Sequence, residues 1–291
     1  MASLPVMLSG GSASVVRVSM IADTGRAGSC VHARRWQSAV GIRSVRSKGQ
    51  DMKRRRSSPW SRLLLLVCVA TLGASTPAAA DTIALVGTGN VGAALGRRFA
   101  EQGHTVVYGS RTPGAADVVE LVRATGHGAV ALTPAEAAAR SRIVVLAVPW
   151  TAAEEVVRGL GDLAGKIVVD PTNPRVTAAD GFADYPPLSD SNAERIARLA
   201  PNAHVVKAFS TLGAETMFDP RLAEGPVTIP IVGDDRDAKR IVAELARAIG
   251  LEAVDVGPLR HARIIEGLHY LRANALDGRV NFHFRRDRAR D

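Results

Sequence analysis

The hexapeptide Gly87-Thr88-Gly89-Asn90-Val91-Gly92 joins an apolar run, residues 82–86, to a long helical pattern. In such a strand-to-helix turn each glycine has its own task. Gly87 permits the tight turn, Gly89 lets the backbone approach a bound group with no side chain in the way, and Gly92 lets the new helix pack against the strand. The unpaired N–H groups and the dipole of a helix start favour negative charge, so the loop, including Thr88, Asn90 and Val91, is a candidate pyrophosphate cradle. Arg111 stands nineteen residues past Gly92, within Tyr108-Gly109-Ser110-Arg111-Thr112-Pro113. An NAD-preferring fold usually carries Asp or Glu there for the ribose 2′-OH. Ser110 and Arg111 suit a 2′-phosphate instead, because arginine binds phosphate bidentately and that segment holds no carboxylate to repel it. Together the loop and Ser110-Arg111 point to NADP(H). The competing readings are a tight turn without ligand and a solvated loop arginine.

The elements that must hold this loop follow from apolar periodicity. Residues 82–86 read as a buried parallel strand, 91–102 as a helix ending at Gly103, and 104–108 as the second strand. Beyond Pro113 come helix 115–125, strand 129–132, helix 134–140, strand 143–148, helix 151–160 and strand 166–169. Residues 180–188, with Pro186-Pro187, read as an irregular loop. Helix 192–199, strands 204–209 and 227–232, helix 235–249, strand 253–256, helix 260–275 and a short strand at 280–284 complete the pattern. This alternation predicts an α/β fold, a Rossmann-type doubly wound and mostly parallel sheet with a small C-terminal α+β extension. Residues 81–200 are assigned to the NADP-binding Rossmann domain, 201–285 to a part that binds the substrate or acceptor, and 286–291 to a tail.

Other chemistry is sparse. His104, His127, His204, His261, His269 and His283 are scattered without metal-ligand spacing, so no metal is expected. Asp234-Asp235 reads as a helix cap. Lys207 reads equally as a solvated charge at a strand end and as a substrate ligand.

Charge is unevenly spread. Residues 1–80 hold 12 Lys+Arg against 2 acids, whereas 81–291 hold 25 against 26, so the basic balance of the whole chain marks its N-terminal segment and not a nucleic-acid surface. From Met52, Lys53-Arg54-Arg55-Arg56, the apolar run 63–72 and Ala78-Ala79-Ala80 make a secretory signal, too short to span a bilayer, with cleavage after Ala80. The expectation is an exported, periplasmic protein that starts at Met52, residues 1–51 being an over-extended reading and 52–80 the signal peptide. A rival reading takes the Ser- and Arg-rich residues 1–51 as a transit peptide, and a cytoplasmic location is the alternative to export. Both cysteines, Cys30 and Cys68, fall in this leader, so a chain beginning at Asp81 has no disulfide or thiol chemistry.

Gly87 to Gly92, Gly109-Ser110-Arg111, Val148-Pro149-Trp150, Asp170-Pro171-Thr172-Asn173-Pro174, Val206-Lys207-Ala208-Phe209, Gly233-Asp234-Asp235 and Asp255-Val256-Gly257-Pro258-Leu259 occur in the order and spacing of a known family. Over residues 82–285 the chain resembles the NADP oxidoreductases that use coenzyme F420, a group similar also to the reductase domains of eukaryotic metalloreductases. The resemblance implies direct hydride passage between the nicotinamide and a deazaflavin, with F420 as co-substrate and no catalytic acid, base or nucleophile in the protein. It implies that Thr88, Gly89, Asn90 and Val91 hold the pyrophosphate, Ser110 and Arg111 the 2′-phosphate, and that Val148, Pro149 and Trp150 flank the nicotinamide. Asn173 and Ser210 are then the candidate acceptor-side residues, with Ser210 standing where many relatives carry Asn. The partner is a small redox acceptor. Neither a nucleic acid nor a membrane span is expected, and the apolar C-terminal pattern suits a homodimer contact as well as a cover for the sheet edge. Two alternatives stand beside this reading. One is a non-catalytic NADP(H)-binding sensor; the other is an imine or carbonyl reductase, whose long helical domain the residues after Val256 are too few to build.

Overall fold

The computed structural model describes residues 80–275 except 178, 180–182 and 185–189. The leader readings for 1–51 and up to 79, most of the loop read at 180–188, the strand read at 280–284, His283 and the tail 286–291 lie outside the described residues. No helix among the described residues is long and apolar enough to cross a membrane.

The strands are β1 (Thr82–Val86), β2 (Thr105–Gly109), β3 (Val130–Leu132), β4 (Ile143–Leu146), β5 (Ile167–Asp170), a small antiparallel ribbon of β6 (Val176–Thr177) and β7 (Ala183–Asp184), then β8 (His204–Lys207), β9 (Thr228–Gly233) and β10 (Glu252–Asp255). Eight of them form one sheet in the order β10-β9-β8-β5-β4-β1-β2-β3. Its neighbours run parallel except β8 and β9, which are antiparallel, so the doubly wound sheet expected from the alternation is present. The segment from 204 to 255 continues this sheet.

The helices are α1 (Asn90–Glu101), α2 (Ala116–Thr125), α3 (Pro134–Arg140), α4 (Trp150–Gly159), α5 (Asn192–Leu199), α6 (Ala214–Phe218), α7 (Arg236–Ala248) and α8 (Ala262–Asn274). Strand residues alternate between two cores. Ile83, Leu85, Ile143 and Val145 pack with Leu95 and Phe99 of α1 and with Val242 and Leu245 of α7. Ala84, Val86, Val144 and Leu146 face the other side, with Ala137 of α3, Val157 of α4, Ile196 of α5 and Ile265 of α8. Burial on both faces is why these strands read as unbroken apolar runs. Helix starts are set locally: Thr133 and Glu136 close a capping box with Pro134 at the first turn of α3, and Asp235 caps α7 through the Ala238 amide at 2.7 Å.

Two differences from the expected elements have plain causes. β8 ends at Lys207, short of the strand read to 209, because Phe209 adopts φ +65°, a left-handed conformation that ends the ladder. α6 spans only five residues, too few for a periodic signal.

Lys207 is the larger correction. It is neither solvated nor free to bind substrate: the side chain is fully buried, with Nζ donating to Asp170 Oδ2 at 2.9 Å, to Glu266 Oε1 at 2.8 Å and to the Thr172 carbonyl. Those partners occupy all three ammonium hydrogens. Asp170 Oδ1 in turn accepts the Thr172 amide at 2.9 Å and its hydroxyl at 2.6 Å. Glu266 also accepts the Asn192 amide at 3.0 Å, at the start of α5. Burial alone would lower the lysine's pKa, but the two carboxylates hold it above its ordinary value; burial raises that of Glu266, with Lys207 opposing. The network clamps the loop after β5 to β8, α5 and α8.

Removing one partner from a buried ionic cluster strands the others. Lys207→Met is therefore expected to destabilise the fold by about 3–5 kcal/mol, read as a lower midpoint in urea unfolding.

Candidate functional site

The glycine loop sits where the sheet order reverses, at the carboxyl ends of β1 and β4. Gly87 has φ +111°, and a Cβ there would lie 2.2 Å from the Ala147 carbonyl oxygen, so the turns after β1 and β4 touch through backbone. A Cβ on Gly92 would lie 2.1 Å from the Gly87 oxygen. Both positions are glycine because the fold leaves no room. Gly89 differs: at φ −74° its missing Cβ would meet nothing within 4 Å. This glycine faces open space beside the start of α1, a helix with no side-chain cap and no acid in its first turn.

That space is a cleft of about 760 Å³. Gly87, Thr88 and Gly89 line it at one side, Ser110, Arg111 and Thr112 at another, and Val148 and Pro149 at a third. A second hollow of about 230 Å³ shares Gly89, Val148 and Pro149 with it and adds Asn90, Val91, Pro171 and Thr172. The two hollows lie side by side at the carboxyl ends of the strands and meet at these shared residues. Gly92 lies beneath them, packed against Gly87.

Ser110 is buried, and its Oγ accepts the Thr112 amide at 3.2 Å, which curls the segment after β2. Arg111 is exposed and has no ion-pair partner among the described residues. Trp150 is half-buried at the first turn of α4 and lines neither hollow; its neighbours Pro149 and Thr151 do. Thr112, Thr133, Thr151 and Asp117 also line the cleft and were not singled out from the sequence. The available signal for Thr133 and Thr151 was their place just beyond β3 and β4, the edge where ligands bind in open α/β sheets.

Asn173 and Ser210, the two residues expected to face an acceptor, come together, although neither lines the two hollows. Asn173 Nδ2 donates to the Ser210 carbonyl at 2.6 Å, linking the ends of β5 and β8. Asn173 Oδ1, Ser210 Oγ and Thr211 Oγ1 are buried with no hydrogen-bond partner. α8 closes over this region, with the Tyr270 hydroxyl donating to the Pro174 carbonyl and the Arg272 guanidinium against Gly213, where a Cβ would lie 2.9 Å from Nη2. The His269 ring stands edge-on to Tyr270, its Nδ1 unbonded. Burial, with the positive charges of Arg272, Arg175 and Lys207, lowers its pKa to about 4. Sequence reasoning did not reach Thr211 or Arg272 and read His269 only as one of several scattered histidines, since nothing local ties α8 to the turn after β8.

Residues 82–174 match the family model "NADP oxidoreductase coenzyme F420-dependent". The chain is 33% identical over 203 residues to the F420-dependent NADP reductase of Methanothermobacter marburgensis, a match covering 65% of this chain and 89% of that protein. It is 33% identical over 199 residues to the metalloreductase STEAP3 of Rattus norvegicus, but that match spans 67% of this chain and only 38% of the metalloreductase. Among solved structures, an Arthrobacter sp. FB24 protein provisionally named an F420-dependent NADP reductase superposes with a TM-score of 0.65 at 32% identity, covering 72% of this chain and 100% of that one.

His269 makes stability depend on pH. Because its folded pKa, about 4, lies below the ordinary 6.5, the unfolded chain takes up the proton first as pH falls. The contribution is complete above pH 6.5 and is lost as pH drops towards 4. Between these limits we expect a loss of about 1–2 kcal/mol, allowing for solvent screening of a half-buried ring, and a shallower slope in His269→Gln. Urea unfolding of both proteins across that range checks it.

Proposed function

The chain belongs to the family of coenzyme F420-dependent NADP oxidoreductases, and on that premise we propose that it passes a hydride directly between NADP(H) and a deazaflavin such as coenzyme F420, or a flavin-like acceptor. The observation that carries this reading is that two adjoining hollows share the wall formed by Gly89, Ala147, Val148 and Pro149. One end holds the glycine loop with Ser110 and Arg111; the middle holds Val148 and Pro149; the other end reaches Thr172, next to Asn173.

The residues present fit the dinucleotide. Gly89 leaves open a space that a Cβ would fill, the amides at the start of α1 have no capping side chain, and the Arg111 guanidinium has no carboxylate partner among the described residues. Thr88, Gly89, Asn90 and Val91 bind the pyrophosphate, and Ser110 and Arg111 bind the 2′-phosphate. When bound, the dinucleotide supplies the hydride and the protein supplies position and electrostatics. Val148 and Pro149 present an apolar wall that keeps water from the reacting region, and Pro171 and Thr172 close its other side. Asn173 orients the acceptor, its own amide held by the Ser210 carbonyl. No side chain moves a proton in this scheme, which is why the site needs shape more than acid–base groups.

Two variants test it. Arg111→Ala is expected to lower the ratio of NADPH to NADH affinity about 10–100-fold, the worth of a charge-assisted phosphate contact; an unchanged ratio removes the 2′-phosphate assignment. Gly89→Ala is expected to leave the unfolding midpoint unchanged, since its backbone suits alanine, while weakening NADPH binding about 10–100-fold in a fluorescence titration.

A further inference from the structure

The acceptor side carries positive charge that nothing described in the chain neutralises. Arg272 is half-buried, its Nε has no partner and its pKa is lowered by burial. Arg175 follows the Pro174 carbonyl that Tyr270 binds, and it too has no ion pair among the described residues. Both cations bear on the His269 ring. The carboxylates of this edge, Asp170 and Glu266, are taken up by Lys207. Beside the Arg272 guanidinium, the turn 209–213 holds the unbonded hydroxyls of Ser210 and Thr211, each 3% exposed. That turn is held by Phe209 at φ +65°, an unfavourable conformation for a bulky residue and of the kind that clusters at ligand sites. A partly buried guanidinium with no ion pair among the described residues and two buried hydroxyls without partners are costly unless a ligand completes them. A guanidinium fork with flanking hydroxyls matches the oxygens of a phosphate or carboxylate.

We infer that Arg272, with the Ser210 and Thr211 hydroxyls and the field of Arg175, binds an anionic group on the side chain of the ring acceptor, a phosphate or a carboxylate. The inference rests on the proposed function only for the acceptor being a ring compound. It makes Arg272 a specificity determinant: ring acceptors with an anionic tail are favoured over the same ring without one.

The test uses the full chain and two probes that share a ring, FMN with a phosphate and riboflavin without. Equilibrium titration of ring fluorescence is expected to give FMN about tenfold or more tighter binding than riboflavin. Arg272→Met brings FMN to the level of riboflavin and leaves riboflavin unchanged, while Arg272→Lys retains part of the difference. NADPH titration and the unfolding midpoint verify that each variant is folded. If Arg272→Met does not fold, Ser210→Ala with Thr211→Val is read in the same way, with a smaller loss confined to FMN. Equal affinities for the two rings in the unaltered chain overturn the inference, as does a loss shared equally by both in the variants. Inorganic phosphate that binds as tightly as FMN overturns the tail assignment in favour of a free-anion site. Hydride transfer is measured separately: no reduction of either ring by NADPH, alongside an FMN preference that depends on Arg272, removes the proposed reaction and leaves the subsite standing.

Discussion

The buried ammonium of Lys207 is the point on which the packing of β5, β8, α5 and α8 depends. Four segments distant in sequence meet at it: the ends of β5 and β8, the first turn of α5 and the middle of α8. Ionised groups taken out of water repay their desolvation only when every partner is in place. The loop after β5 is therefore tied to α8, and Thr172, at the edge of the second hollow, is held together with its neighbours Asn173 and Pro174. One positive charge faces two carboxylates here. The amide of Asn192 and the other free amides at the start of α5 offset the remaining negative charge.

The glycine loop works by a different constraint, close contact between backbones. Gly87 and Gly92 are explained completely by the protein, whose own carbonyl groups occupy the space a side chain would take. Gly89 is not explained that way. Its missing side chain faces open space at the start of α1, so the three glycines divide into two that the fold requires and one that the protein's own contacts do not dictate. That division is visible only once the turn after β4 is seen against the loop.

The same distinction separates what could be read in the sequence from what could not. Runs such as Ile143 to Leu146 and Ile167 to Val169 declare themselves as doubly buried strands, and the alternation with helices leads directly to the sheet. The loop and Ser110-Arg111 were legible because their spacing is local, fixed by one strand, one helix and one more strand. Lys207 was not, because His204-Val205-Val206-Lys207 looks like a strand running out to solvent and its partners lie 37 and 59 residues away. Arg272 and His269 were hidden for the same reason, since their roles depend on where α8 lies. Trp150 is a different case: an aromatic residue at a strand end draws attention, while its neighbours on either side are the ones that line the cleft.

The electrostatics of the whole crevice follow from these placements. Arg111, Asp117 and Glu155 line the cleft beside the glycine loop, Ala147, Val148 and Pro149 line both hollows, and Arg175 and Arg272 lie near the His269 ring, outside the lining of either. Two anionic ring compounds entering such a crevice gain most when their charged tails lie towards the cationic regions and their uncharged rings share the apolar middle. The alternative arrangement, tails inward, would bring like charges together between Val148, Pro149, Pro171 and Thr172, where no cation is found among the described lining residues. On the proposed reading, this charge placement suits a ring-to-ring approach.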